Sequence, residues 1–67
     1  MTVREYLRDL RPGDRVTVQS LDDLSGKPFT LATGEAWEEE LFEGCLDKRV
    51  LCSEYNIKYG EYVVTLN

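Results

Sequence analysis

The segment from Thr2 to Pro12 sets the strongest condition on how this chain folds. Thr2 and Glu5 have the Thr-x-x-Glu spacing of a capping box, in which each residue satisfies a backbone N–H of the other. Val3, Tyr6, Leu7 and Leu10 follow at i, i+3, i+4 and i+7, which is one face of a 3.6-residue period. Arg4, Arg8 and Arg11 lie on the other side, and Glu5 and Asp9 are spaced to pair with Arg8 and neighbouring arginines. Pro12-Gly13 forces the helix to stop by Arg11. So short a helix is not stable alone in water, so its apolar face needs a sheet to cover. The chain has 67 residues, enough for one domain over residues 1–67 and one small core. A chain of this size buries only about 60% of its unfolded surface, so stability is narrow.

The rest of the sequence supplies strands. Arg15-Val16-Thr17-Val18-Gln19-Ser20-Leu21 alternates, with Val16, Val18 and Leu21 directed at the core. Asp22 to Pro28 is a loop by composition. Its acids do not match the ligand spacing of an EF-hand calcium loop, and Gly26-Lys27 lacks the rest of a phosphate-binding loop. Phe29 to Thr33 alternates again, with Phe29 and Leu31 on one face, and pairs with the first strand as a hairpin. Val50–Asn56 and Glu61–Leu66 form a second hairpin, with Tyr59-Gly60 at its turn. The β-branched, apolar final strand belongs at the centre of the sheet. The expected fold is α+β: a small, mostly antiparallel sheet of about four strands, with the N-terminal helix across one face.

Gly34 to Gly44 reads Gly-Glu-Ala-Trp-Glu-Glu-Glu-Leu-Phe-Glu-Gly. It holds the only Trp, one of two Phe and five of the thirteen acids, with no basic residue. As a helix it is capped by Thr33 or Gly34, with a stripe of Trp37, Leu41 and Cys45 flanked by Phe42. As a strand it places Glu38, Glu40 and Phe42 on one face. Three consecutive glutamates are poor strand material, so a second short helix is the favoured reading.

Charge is distributed unevenly. Residues 21–47 carry eight acids against Lys27 alone, while the segments before and after each carry a net +1, for a total of −5. A central acidic block lacks the basic footprint of a nucleic-acid binder. It suits a basic protein surface, and it serves equally as a solubilising face. The chain has no His, which removes the commonest general base and, with only two Cys, argues against structural zinc. Cys45 and Cys52 are not at Cys-x-x-Cys spacing, and the N-terminus has no export signal or apolar span, so reduced thiols are the expectation and a disulfide the alternative. Glu38, Glu39, Glu40 and Glu43 could serve as paired catalytic carboxylates only across a cleft, and so small a chain has little room for one. No enzyme activity and no cofactor are expected.

Met1-Thr2-Val3-Arg4-Glu5-Tyr6-Leu7, Pro12-Gly13-Asp14-Arg15-Val16-Thr17-Val18 and the closing Leu46-Asp47-Lys48-Arg49-Val50 resemble short uncharacterised proteins of bacterial phages and mobile elements. The resemblance covers about a third of the chain and carries no catalytic residues. It implies a cytoplasmic setting in a bacterial host and a protein that binds a host protein, including inhibitors of bacterial immunity. The expected partner surface is Glu35, Trp37, Glu38, Glu39, Glu40, Phe42, Glu43 and Asp47, with Trp37 and Phe42 as anchors facing a host protein with a basic surface. One alternative is a self-associating homodimer through edge strands and tyrosines. Another is a small anionic ligand held by Arg4, Arg8, Arg11 or Arg15.

Overall fold

A computed structural model describes residues 1–66. Helix α1 spans Val3–Asp9, strand β1 Arg15–Leu21, strand β2 Pro28–Glu35, a 3₁₀ helix Glu39–Cys45, strand β3 Val50–Asn56 and strand β4 Glu61–Leu66. The four strands form one sheet in the order β2-β1-β4-β3. The architecture is the small α+β fold read from the sequence, with β4 in the interior of the sheet. The sheet is mixed, however. β1 pairs antiparallel with β2 and β3 pairs antiparallel with β4, but the central pair, β1 with β4, is parallel.

The capping box forms as its spacing demands. Thr2 Oγ1 accepts from the Glu5 amide at 3.3 Å, and Glu5 Oε1 accepts from the Thr2 amide at 3.0 Å. The Thr2 backbone and side-chain hydrogen bonds, in that order, hold the Glu5 carboxyl below its usual range. Two further amides of the first turn find partners outside the helix. Val3 N–H donates to the Lys48 carbonyl and Arg4 N–H to the Leu46 carbonyl, each at 3.0 Å. These are groups a helix start leaves unsatisfied, and here a distant segment fills them.

That segment, residues 36–49, runs from the end of one edge strand to the start of the other, so it must cross the covered face of the sheet. Its start is tied down by Ala36 N–H donating to the Asp14 carbonyl at 2.8 Å and Trp37 N–H to the Pro12 carbonyl at 3.2 Å. Its end is tied by Val50 N–H donating to the Met1 carbonyl at 2.8 Å. Crossing the face, it lays Phe42 and Cys45 beside α1 and over β2. The core is Val3 and Leu7 from α1, Val16 and Val18 from β1, Val64 and Leu66 from β4, and Ala36, Phe42 and Cys45 from the crossover. Phe42 is wholly buried. Gly34, beside it, leaves room for Leu41: a Cβ at position 34 would sit 2.7 Å from Leu41 Cδ1, while its 3.7 Å to the Phe42 ring would be an ordinary contact. The hairpin glycine, Gly60, has φ 63°, which an L side chain adopts only with strain.

Three expectations change. The alternation of β2 breaks at a bulge: Val18 faces Ala32 while Gln19 faces Thr30, leaving Leu31 as the extra residue. Phe29 and Leu31 are about half exposed, at 48% and 47%, and Ala32 and Gly34 take the positions over the core. Leu21, the last residue of β1, is also exposed. The third change concerns the helix arginines. Arg4 and Arg8 do not pair along the helix but reach across to Asp47 and Glu39 of the crossover.

The uncovered sheet face is polar and internally bonded. Thr17 Oγ1 lies 3.1 Å from Thr33 Oγ1 and donates to Glu61 Oε2 at 3.0 Å, and Gln19 Nε2 donates to Thr65 Oγ1 at 3.0 Å. On the covered face Tyr62 takes Tyr6 and Tyr55 edge-on, with ring centroids 6.4 and 4.8 Å away. Tyr6 and Tyr62 are half-buried, while Tyr55 and Tyr59 are exposed.

Phe42→Ala should cost about 3–5 kcal/mol, a large part of the stability of so small a domain, and shift the urea midpoint strongly. Thr2→Ala should cost about 1 kcal/mol through the lost cap. Because the Glu5 carboxyl titrates below its unfolded value, its stabilisation is present above the unfolded pKa and disappears as pH falls through the folded one. Glu5→Gln should therefore flatten the acid limb of a stability–pH curve measured by urea denaturation.

Candidate functional site

The acidic stretch forms the expected second short helix, but with 3₁₀ rather than 3.6-residue winding. Glu39–Cys45 is a 3₁₀ helix preceded by Glu38, which makes no side-chain cap to it. Thr33 and Gly34, the expected caps, belong to β2. Like charges at i, i+4 weaken an α-helix, and Glu39 and Glu43 stand at that spacing. In a 3₁₀ helix the residues at i and i+3 eclipse, so the segment sorts into three rows. Glu39, Phe42 and Cys45 form the inward row, with Phe42 and Cys45 buried. Glu40 and Glu43 form the outward row, both exposed. Leu41 and Gly44 form the third, beside β2.

This sorting corrects the expected stripe. Trp37 and Leu41 do not join Cys45 in the core; they are 64% and 52% exposed. Phe42, expected as a surface anchor, is the centre of the core and cannot touch a partner. The reason is periodicity: a 3.0-residue repeat puts Phe42, not Leu41, in line with Cys45.

The acids differ in what they already do. The Glu35 side chain is half-buried at the end of β2. Glu38 Oε1 accepts from the Glu35 amide at 2.9 Å, closing the end of that strand. Glu39 Oε1 is buried and lies 3.4 Å from Arg8 Nε, an ion pair without a hydrogen bond. Asp47 pairs with Arg4. Glu40 and Glu43 are in no ion pair or side-chain hydrogen bond found among the described residues. Of the eight candidate residues, Trp37, Glu40 and Glu43 are thus the ones left open to a partner, and Glu38 and Glu39 border them.

Two residues of this surface carried no sign of it in the sequence. Leu41 shares one hollow with Trp37, Glu38, Glu39 and Glu40. It shares another, of ≈ 160 Å³, with Leu31, Ala32, Phe42, Gly44 and Cys45. That second hollow has room for one large apolar side chain. The result is a strip from Trp37 through Leu41 to Leu31, apolar along its floor and acidic along one side. In a linear sequence Leu31 looks like any inward residue of an alternating strand; in the structure it is the extra residue of the bulge and 47% exposed.

Cys45 and Cys52 are both free thiols. Cys45 is buried, with Sγ 3.4 Å from the Phe42 carbonyl, and burial pushes its thiol pKa up. Cys52 is exposed on β3. Among the described residues no group of three or more His, Cys, Asp or Glu side chains is arranged to hold a metal ion, and no helix is long and apolar enough to cross a membrane. A maleimide reagent at neutral pH should label Cys52 of the native protein rapidly and Cys45 only as the domain opens. Mass spectrometry of timed samples would check this, and equal labelling rates would contradict the burial of Cys45.

Compared with known proteins, the chain matches no family model, no curated protein and no solved structure.

Proposed function

We propose that this chain is a protein-binding module without catalytic activity. It meets a basic surface on a host protein through the face carrying Trp37, Glu38, Glu40 and Glu43. In the setting its sequence resembles, a phage or mobile element in a bacterial cytoplasm, the module inhibits that host protein, a component of bacterial defence being the foremost candidate. It does so by occupying a basic site.

The observation that carries this reading is the exposure of Trp37. A single Trp that is 64% exposed, in a chain with few large residues to bury, lies beside a half-exposed Leu41 and two exposed, unpaired glutamates. Large aromatics in the centre of an interface supply much of its affinity, and charges at the rim supply steering and selectivity. The anionic-ligand alternative has less to support it, because Arg4 and Arg8 already pair with Asp47 and Glu39. Self-association through this same face is opposed by its own repeated negative charge.

Capture from a bacterial host lysate at low and high salt tests the proposal. Glu40→Lys with Glu43→Lys is the suitable variant, since neither side chain holds the fold together. The expected result is a basic protein retained at low salt by the native chain, released by high salt and lost from the variant. Trp37→Ala should weaken retention by about 2 kcal/mol or more. A partner retained equally by both chains would show that the acidic rim is not the contact.

A further inference from the structure

Resting on that reading, we propose the form of the partner: one face of a basic amphipathic helix, laid along the apolar strip that Trp37, Leu41, Leu31 and Phe29 make. Phe29 belongs to the strip because it pairs with Ser20, which by strand alternation lies on the side of Val16 and Val18. All four side chains are between 47% and 64% exposed. They lie on one flank of the molecule, where the 3₁₀ helix meets the edge strand β2.

Edge strands usually invite a different partner, an extended segment that adds to the sheet. β2 is blunted against this in three places. Pro28 has no N–H to donate. The bulge at Leu31 breaks the regular ladder. The Glu35 amide at the far end is already taken by Glu38. What remains open on this flank is its side-chain surface, and a partner that brings its own hydrogen bonds satisfied fits such a surface. A helix does so, presenting apolar residues at i, i+3, i+4 and i+7 with cations on either side. The leucine-sized hollow between Leu31 and Leu41 takes one of its apolar side chains. Glu40 and Glu43, exposed and unpaired, face its lysines or arginines. A second copy of this chain does not supply that charge: the same flank on another copy is also acidic, and like charges across an interface oppose docking.

Trp37 is the only Trp in the chain, so its emission reports what lies on the strip. Two synthetic peptides of identical leucine and lysine content serve as probes. One has leucines at helical spacing, and the other alternates leucine with lysine at strand spacing. The helical-period peptide should shift Trp37 emission to the blue, gain helical circular dichroism on binding, and bind at least about tenfold more tightly than the alternating one. Leu41→Ala, at an exposed position that leaves the core intact, should weaken it about tenfold. Glu40→Lys with Glu43→Lys should weaken it and lower its salt dependence. Equal or tighter binding of the alternating peptide overturns the helical form of the partner, as does no binding of either. If the lysate capture succeeds while the helical peptide fails, only this inference falls. If both fail, the binding function falls with it.

Discussion

The structure depends on a reciprocal lock between its first helix and a crossover more than thirty residues away. α1 is too short to persist unaided, and residues 36–49 hold only the short 3₁₀ helix Glu39–Cys45. Each supplies what the other lacks. The carbonyls of Leu46 and Lys48 take the amides of Val3 and Arg4, Asp47 and Glu39 meet Arg4 and Arg8, and Phe42 joins Val3 and Leu7 in one core. The covered sheet face is shared between two elements that would not order separately. The edge-to-edge path of the crossover is also what puts β1 and β4 side by side and parallel. A chain of two hairpins alone would have no reason to pair that way.

The same crossover fixes the surface. Its 3₁₀ winding turns Phe42 and Cys45 inward every third residue, which leaves Glu40, Glu43, Trp37 and Leu41 outside. Structural and exposed roles are thus interleaved within one short segment. Glu38 and Glu39 work partly for the fold, one closing β2 and the other pairing with Arg8. A substitution at those two positions changes the scaffold along with the charge, whereas one at Glu40 or Glu43 changes charge alone. On the opposite sheet face Thr17 bonds with Thr33 and Glu61, and Gln19 with Thr65.

Much of the fold was legible in the residues. The capping box, the apolar row of α1, the breaker at Pro12-Gly13, the positions of four strands and the central place of β4 all follow from short-range rules. Each depends on neighbours no more than a few residues away. The bulge at Leu31 does not follow from such rules. It shifts the register between Val18 and Gln19 and leaves Leu31 without a partner on β1, and Phe29 and Leu31, expected in the core, stay about half exposed. The acidic stretch was recognised as the distinctive surface, but its inward and outward residues were assigned on the wrong period. A helix of 3.6 and one of 3.0 residues per turn share the same first turn, and local propensity does not separate them.

The sequence by itself determined the bounds of α1, β1, β3 and β4, because caps, breakers and alternation act through local backbone geometry, whereas β2 runs on to Glu35 and the 3₁₀ helix begins only at Glu39. It also determined that the middle of the chain would be acidic and aromatic. Only the tertiary structure decided which aromatic was spent on the core. Phe42 went in, packed with Val3 and Leu7 of α1 and the valines of β1, and Trp37 stayed out, its amide held at the Pro12 carbonyl on the rim. Those are contacts between segments, and no periodicity within one segment encodes them.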